Sequence, residues 1–216
     1  MVGLERRSVR IGGQMSNSRY GFIRDVEADL VDRTLGKIKS QFGEVRFLEI
    51  GVFCGDTVRG VVRWCQANDC PVYAAGVDCM AHYKPNPAPL PDYVFYEGDS
   101  MDMWRDIKEK FNFLWIDGCH CVNHSACDFI NYSPLVVVGG ACLFHDTALP
   151  SSATKQEEWP QDHSYAGKPP SVLGVREGLK KLGLLQDYRR DWKLIEEVPS
   201  DTGLMGAMVF EKVFEL

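Results

Sequence analysis

Two short pairs of residues have side chains suited to moving a proton or holding an ion. Asp117 and His120 fall in Asp-Gly-Cys-His, directly after the apolar run Phe113–Ile116, and His145-Asp146 follows the run Ala141–Phe144. An imidazole titrates near neutrality and takes up a proton readily, and carboxylates beside it tune that exchange or bind a cation. A third cluster lies upstream, in Phe-Leu-Glu-Ile-Gly-Val-Phe-Cys-Gly-Asp-Thr from Phe47 to Thr57. Gly51 and Gly55 let the backbone turn sharply and a ligand come closer than a Cβ would allow. A helix begins behind them, with Asp56 or Thr57 as the predicted N-cap, and its free N–H groups face the turn. The spacing is not the G-x-G-x-x-G of a dinucleotide site, because Val52, Phe53 and Cys54 separate the two glycines.

These residues need a scaffold that brings strand ends together, and the hydrophobic pattern supplies one. Apolar residues at Ile23, Val26, Leu30, Val31, Leu35, Ile38 and Phe42 paint one helix face, which Gly43 ends. Val45–Ile50 reads as a first strand, and Val58, Val61, Val62 and Cys65 as the helix after the glycine turn. Val72–Val77 is a second strand ending in Asp78, where a carboxylate can accept from both ribose hydroxyls of a nucleoside. Tyr93–Glu97 is a third strand leading to Gly98-Asp99-Ser100, followed by a helix with Met103, Trp104 and Ile107. Phe113–Ile116 is a near-continuous apolar strand, as in a parallel strand buried on both faces. A helix with Val122, Ala126, Phe129 and Ile130 leads to a last parallel strand introduced by Gly139-Gly140. Such a repeat gathers Asp117, His120, His145 and Asp146 at the carboxyl edge of the sheet, where ligands bind in open α/β folds. Beyond it come a long loop over residues 147–170, a helix that Ser171 caps, carrying Val172, Val175, Leu179 and Leu182, and two strands, Trp192–Val198 and Leu204–Phe214, joined by Pro199–Gly203 as a hairpin.

Composition narrows the class. With 45% hydrophobic and 25% charged residues the chain reads as globular, and one domain over residues 1–216 is expected, with residues 1–44 as an N-terminal lid and helix and 147–170 as a lid loop. A formal net charge of −6 argues against nucleic acid as a partner. Leu135–Phe144 is too short to span a bilayer, so no membrane partner and a cytoplasmic location are expected. The eight cysteines contain no C-x-x-C pair and read as reduced and mainly structural. Zinc at Cys119 and Cys121, which flank His120, is not expected, and His124 reads as surface.

Glu49-x-Gly51-x-x-x-Gly55, then Ile116-Asp117-Gly118-x-His120, a helical Asp128, Pro134-Leu135, Gly139-Gly140 and His145-Asp146, in that order, resemble the class I S-adenosylmethionine-dependent methyltransferases. The likeness is to the family that includes macrolide sugar O-methyltransferases and cephalosporin-hydroxylase-like proteins, and it covers roughly residues 45–147. Phe53 stands where the family has a middle glycine. The resemblance implies a Rossmann-like α/β fold with a seven-stranded sheet, mostly parallel with a C-terminal antiparallel hairpin and helices on both faces. It implies that S-adenosylmethionine is held by Glu49, Gly51, Gly55, Asp78, Asp99, Ser100 and Asp117, with Glu49 at the methionine end and Asp99 or Ser100 beside the adenine. Asp99 or Ser100 also suits a helix cap. It further implies a divalent metal on Asp117, His145 and Asp146. Magnesium prefers oxygen, and the nitrogen of His145 also suits manganese or iron.

The reading that follows is an O-methyltransferase acting on a hydroxyl of a small molecule, a sugar or a phenol. His120, with Asp117, is the catalytic base, and the metal lowers the hydroxyl pKa. The expected partners are that acceptor and, in a homo-oligomer, further copies of the chain. Two alternatives stand beside it: a metal-dependent hydroxylase-like enzyme of the same fold, and a non-catalytic nucleoside-binding module.

Overall fold

The computed structural model describes residues 19–21, 23–79, 93–148, 174–186, 189–200 and 205–215. Residues 1–18 and 22 of the predicted N-terminal lid and helix, the proline-rich stretch 84–91, nearly all of the predicted lid 147–170 with His163, His82, the Ser171 cap and most of the hairpin turn lie outside the described residues.

Seven strands form one sheet in the order β3-β2-β1-β4-β5-β7-β6. The strands are β1 (Val45–Ile50), β2 (Val72–Asp78), β3 (Tyr93–Glu97), β4 (Phe111–Ile116), β5 (Val136–Phe144), β6 (Trp192–Val198) and β7 (Ala207–Lys212). The first five in that order pair in parallel, and β7 enters antiparallel between β5 and β6. The helices are α1 (Asp25–Phe42), α2 (Asp56–Ala67), α3 (Ser100–Met103), α4 (Val122–Tyr132) and α5 (Val175–Lys181).

Strand side chains alternate between two buried layers, as the period of two demands. Phe47, Phe113, Trp115, Leu143 and Val209 pack with Val31, Leu35 and Ile38 of α1 and Val58, Val61 and Cys65 of α2. Leu48, Leu114, Ile116, Phe144 and Phe210 pack on the other face with Phe129 and Tyr132 of α4 and Leu179 of α5. With both faces covered, the central strands must be apolar throughout, and all six residues of β4 are buried.

Several local expectations shift. Val26 is half exposed while Glu27 is buried, so the inward stripe of α1 includes a carboxylate. Ile130 is likewise exposed on α4. The N-cap of α2 is Gly55, with φ 76°, and neither Asp56 nor Thr57. Asp56 is drawn away because it accepts from Cys54 Sγ at 3.0 Å and pairs with Arg59. The third helix is one turn long and stops before Ile107. The last parallel strand begins at Val136 and takes the glycine pair into itself, with an irregular register against β4 between Phe111 and Phe113.

Candidate active site

The carboxyl ends of β1, β2, β4 and β5 and the turn after β3 carry Glu49, Asp78, Asp117, Asp146 and Asp99 to one rim of the sheet. Ladder hydrogen bonds continue past the strand ends and fix that rim: Gly51 N donates to Val77 O at 2.9 Å, Asp117 N to Ile50 O at 2.9 Å and His145 N to Ile116 O at 3.1 Å.

Asp117, His120 and Asp146 converge, with one donor atom from each lying within 4.8 Å of the others. His120 Nε2 is 3.1 Å from Asp146 Oδ2 and 3.4 Å from Asp117 Oδ1. His145 is not in that trio. Its ring is buried, with Nδ1 3.3 Å from Asp117 Oδ1 and 3.6 Å from Asp146 Oδ1, and Nε2 3.5 Å from Glu27 Oε2. Trp115 stacks on it with ring centroids 6.2 Å apart. Burial works against a charge on this imidazole, yet the surrounding Asp117, Asp146 and Glu27 outweigh it and hold the His145 pKa well above the ordinary value. Burial also works against charge on Asp117, but His145 and His120 hold its carboxyl well below the usual range. Asp146 has φ 55°, a left-handed backbone that costs on the order of 1 kcal/mol outside glycine, and it sits where the ion-sized group closes.

Glu27 is the residue that the sequence reading passes over. It accepts from the backbone N–H of Arg24 at 2.8 Å and of Gly206 at 2.9 Å, and it pairs with the Arg24 guanidinium. Despite burial, its bonds to His145 and Arg24 bring its pKa down to about 2. The signal was present, because position 27 lies four residues from both Ile23 and Val31 on the apolar face, where a carboxylate needs a partner.

At the other half of the rim, Glu49 is buried in β1, and no donor among the described residues meets its Oε2. Burial, with the nearby charges of Asp117 and Asp78, raises its pKa well above the usual value against the pull of a hydrogen bond from Thr57. Asp78 accepts from Phe53 N at 2.8 Å through Oδ2. Phe53 takes φ 49°, so the position where the family has glycine keeps a left-handed backbone. Gly51 also has positive φ, 90°, but a Cβ there would strike the Asp117 carbonyl oxygen and Gly118. Its absent side chain therefore makes room for the β4 turn.

Asp99 caps α3, accepting from Met101 N at 2.9 Å. The Ser100 hydroxyl donates to Asp128 Oδ1 at 2.6 Å, and its carbonyl accepts from Tyr132 at 2.8 Å. Both therefore tie the β3 turn together, and the Ser100 hydroxyl is committed to α4. His124, expected at the surface, turns Nδ1 towards the thiols of Cys119 and Cys121 at 3.0 Å each.

Residues 48–147 match a family model described as a methyltransferase domain. The match covers 100 of the 216 residues and likens this stretch to methyltransferase domains. Solved structures with the same fold include the O-methyltransferase TomG from Streptomyces achromogenes in complex with S-adenosylmethionine. It is 13% identical, with TM-score 0.59, over 86% of this chain and 80% of that one. The N-methyltransferase NodS from Bradyrhizobium japonicum, holding S-adenosylhomocysteine, is 13% identical at TM-score 0.57, over 86% and 87%. MycE from the mycinamycin biosynthetic pathway, with magnesium and S-adenosylhomocysteine, is 22% identical at TM-score 0.55; the match spans 91% of this chain and 53% of MycE. No curated protein matched the chain. The matched stretch thus coincides with the strand ends and turns that form the rim. Among the described residues no helix is long and apolar enough to cross a membrane.

Proposed function

We propose that this chain transfers a methyl group from S-adenosylmethionine to a hydroxyl of a small molecule, with His120 as the base and a divalent ion assisting. The observation that carries the proposal is the setting of His120, whose Nε2 lies against both Asp146 and Asp117 at the rim beside Glu49. An imidazole donating Nε2–H to a carboxylate presents Nδ1 as its basic atom, in the tautomer that a general base needs.

When bound, S-adenosylmethionine supplies a methyl group already activated by its sulfonium. A hydroxyl oxygen is a weak nucleophile until its proton leaves, so the protein's share is deprotonation and alignment. His120 takes the hydroxyl proton at Nδ1, and Asp117 and Asp146 stabilise the imidazolium that forms. Glu49, through the oxygen that no donor among the described residues meets, accepts in this reading from the ammonium of the cofactor's methionine end. Asp78 is placed to accept from the ribose hydroxyls while it also holds the Phe53 turn. Asp99 and Ser100 shape the adenine side.

The carboxylates of Asp117 and Asp146 suit a divalent ion, which would anchor the acceptor hydroxyl and lower its pKa. Glu27, Asp117 and Asp146 set three carboxylates against the His145 imidazolium and the Arg24 guanidinium, an excess of one negative charge that such an ion would complement. His145 then serves by holding the carboxylates in place. With its proton retained the ring has no lone pair for a metal, so in this reading Asp117 and Asp146 hold the ion and His145 braces them. His120 cannot be both a third ligand through its reacting atom and the base.

A panel of sugars and phenols assayed for S-adenosylhomocysteine release, in wild type and His120→Ala, tests the reading. The variant should lose about 10²–10⁴-fold in turnover while keeping its affinity for S-adenosylhomocysteine and for manganese. Full turnover in His120→Ala would place the base elsewhere, and loss of manganese binding would make His120 a ligand. Oxygen consumption with iron would favour the hydroxylase-like reading, and cofactor binding without turnover on any acceptor the non-catalytic one.

A further inference from the structure

The turn that carries His120 holds a second constellation on its other side. Cys119 and Cys121 flank His120 in sequence, and their sulfurs lie 3.2 Å apart. His124, one helical turn into α4, sets Nδ1 3.0 Å from each sulfur. The three donor atoms lie within 4.8 Å of one another, and neither cysteine is in a disulfide. Cys121 is buried, and Cys119 and His124 are partly exposed, so the group can be reached from solvent.

Helix capping explains part of this arrangement. Cys121 is the N-cap of α4, and its sulfur accepts from His124 N at 3.4 Å. Capping does not explain why the sulfur of Cys119 comes to the same imidazole nitrogen at the same distance. One Nδ1 has either one proton or one lone pair to offer, and a relay in which Cys119 Sγ donates to Cys121 Sγ at 3.2 Å and Cys121 Sγ to Nδ1 can satisfy the group when no ion is bound. Two sulfurs and an imidazole nitrogen are, however, the soft donor set that zinc and neighbouring late transition ions select over magnesium. The oxygen-rich trio of Asp117, His120 and Asp146 has the opposite preference. Cys119, His120 and Cys121 therefore alternate between two clusters of different chemistry.

We propose that Cys119, Cys121 and His124 bind a thiophilic transition ion, zinc in the first place, at a site separate from the carboxylate trio. Three protein ligands leave a fourth position open, as at zinc sites that take water or an exogenous ligand. Binding displaces the thiol protons, so affinity falls as the solution is acidified. The ion clasps the β4–α4 turn to the first turn of α4 and so fixes the segment that carries His120. The outcome does not depend on whether methyl transfer is the chain's activity.

The test uses the whole chain, reduced and stripped of metal, titrated with cobalt(II) and then zinc(II) under anaerobic conditions. Wild type should develop a saturable thiolate-to-cobalt charge-transfer absorption, and zinc should abolish it. Cys119→Ser and Cys121→Ser should each weaken cobalt binding by roughly tenfold or more, and Asp117→Asn should leave band and midpoint unchanged. Absence of the band in wild type would overturn the proposal. So would a band that survives the double substitution of Cys119 and Cys121, or one lost in Asp117→Asn. Serine retains an oxygen to cap α4. Circular dichroism checks the fold, and if Cys121→Ser unfolds, Cys119→Ser alone decides the matter.

Discussion

At the scale of one residue, the proposed cofactor site turns on Glu49, a buried carboxylate. A buried carboxylate with an oxygen that meets no donor is destabilising, by roughly 1–3 kcal/mol for the unmet group, and it becomes useful only when a ligand supplies the partner. The Glu49 pKa is raised well above its ordinary value, chiefly by burial. The folded state therefore binds a proton that the unfolded chain has released, and stability falls as pH rises above the ordinary carboxylate range. Glu49→Gln should raise the thermal midpoint of the ligand-free protein at neutral pH and weaken S-adenosylhomocysteine binding about tenfold or more. Differential scanning fluorimetry and calorimetric titration read the two halves, and unchanged affinity would remove Glu49 from the cofactor site. Asp78 could be singled out from the sequence because it closes an apolar strand, and Glu49 through the resemblance of Glu49-x-Gly51-x-x-x-Gly55 to the family motif. Glu27 was harder to read, since its partner His145 is more than a hundred residues away, and helical periodicity alone does not say what a buried carboxylate will meet.

At the scale of the element, the β1–α2 turn and α4 set the geometry. Strands were legible because parallel strands covered on both faces are apolar from end to end, and β1 and β3 fall on the residues their patterns predict. The purpose of Gly51 was not legible. A glycine after a strand signals close approach but does not say to what, and here the neighbour is the Asp117 backbone. The cap of α2 was misplaced for a similar reason, because Asp56 finds a local partner in Arg59. α4 holds the β3 turn through Asp128, which is fully buried and accepts from Ser100. Burial, with repulsion from Asp99 and Cys121, raises the Asp128 pKa to about 7 against the hydrogen bond from Ser100 and the charge of His124. Since the folded value exceeds the ordinary one of 3.8, stability from the protonated form is fully present below that ordinary value and is lost as pH rises towards 7. The loss amounts to at most about 4 kcal/mol, at 1.36 kcal/mol per pKa unit. Asp128→Asn should flatten urea-unfolding stability between pH 4 and 7; an unaltered slope would show that Asp128 does not titrate in that window.

The whole molecule turns these parts into a site by strand order. Placing β1 between β2 and β4 brings the Glu49 and Asp78 ends beside the Asp117 end, and β5 next to β4 adds Asp146. The antiparallel β7 then brings Gly206 to Glu27, closing the charged cage behind His145. This topology could be read from the alternation of strands and helices and from the resemblance of the motifs, because connection rules leave few arrangements open. The acceptor could not be read, since the fold is shared by O- and N-methyltransferases alike. The central claim is that one rim holds the cofactor against Glu49 and Asp78, and equilibrium titration with S-adenosylhomocysteine tests it most directly. The account predicts saturable binding to the wild-type chain, at one ligand per chain, and a loss of about tenfold or more in Asp78→Ala. Failure of the wild type to bind, or equal affinity in the two proteins, would contradict it.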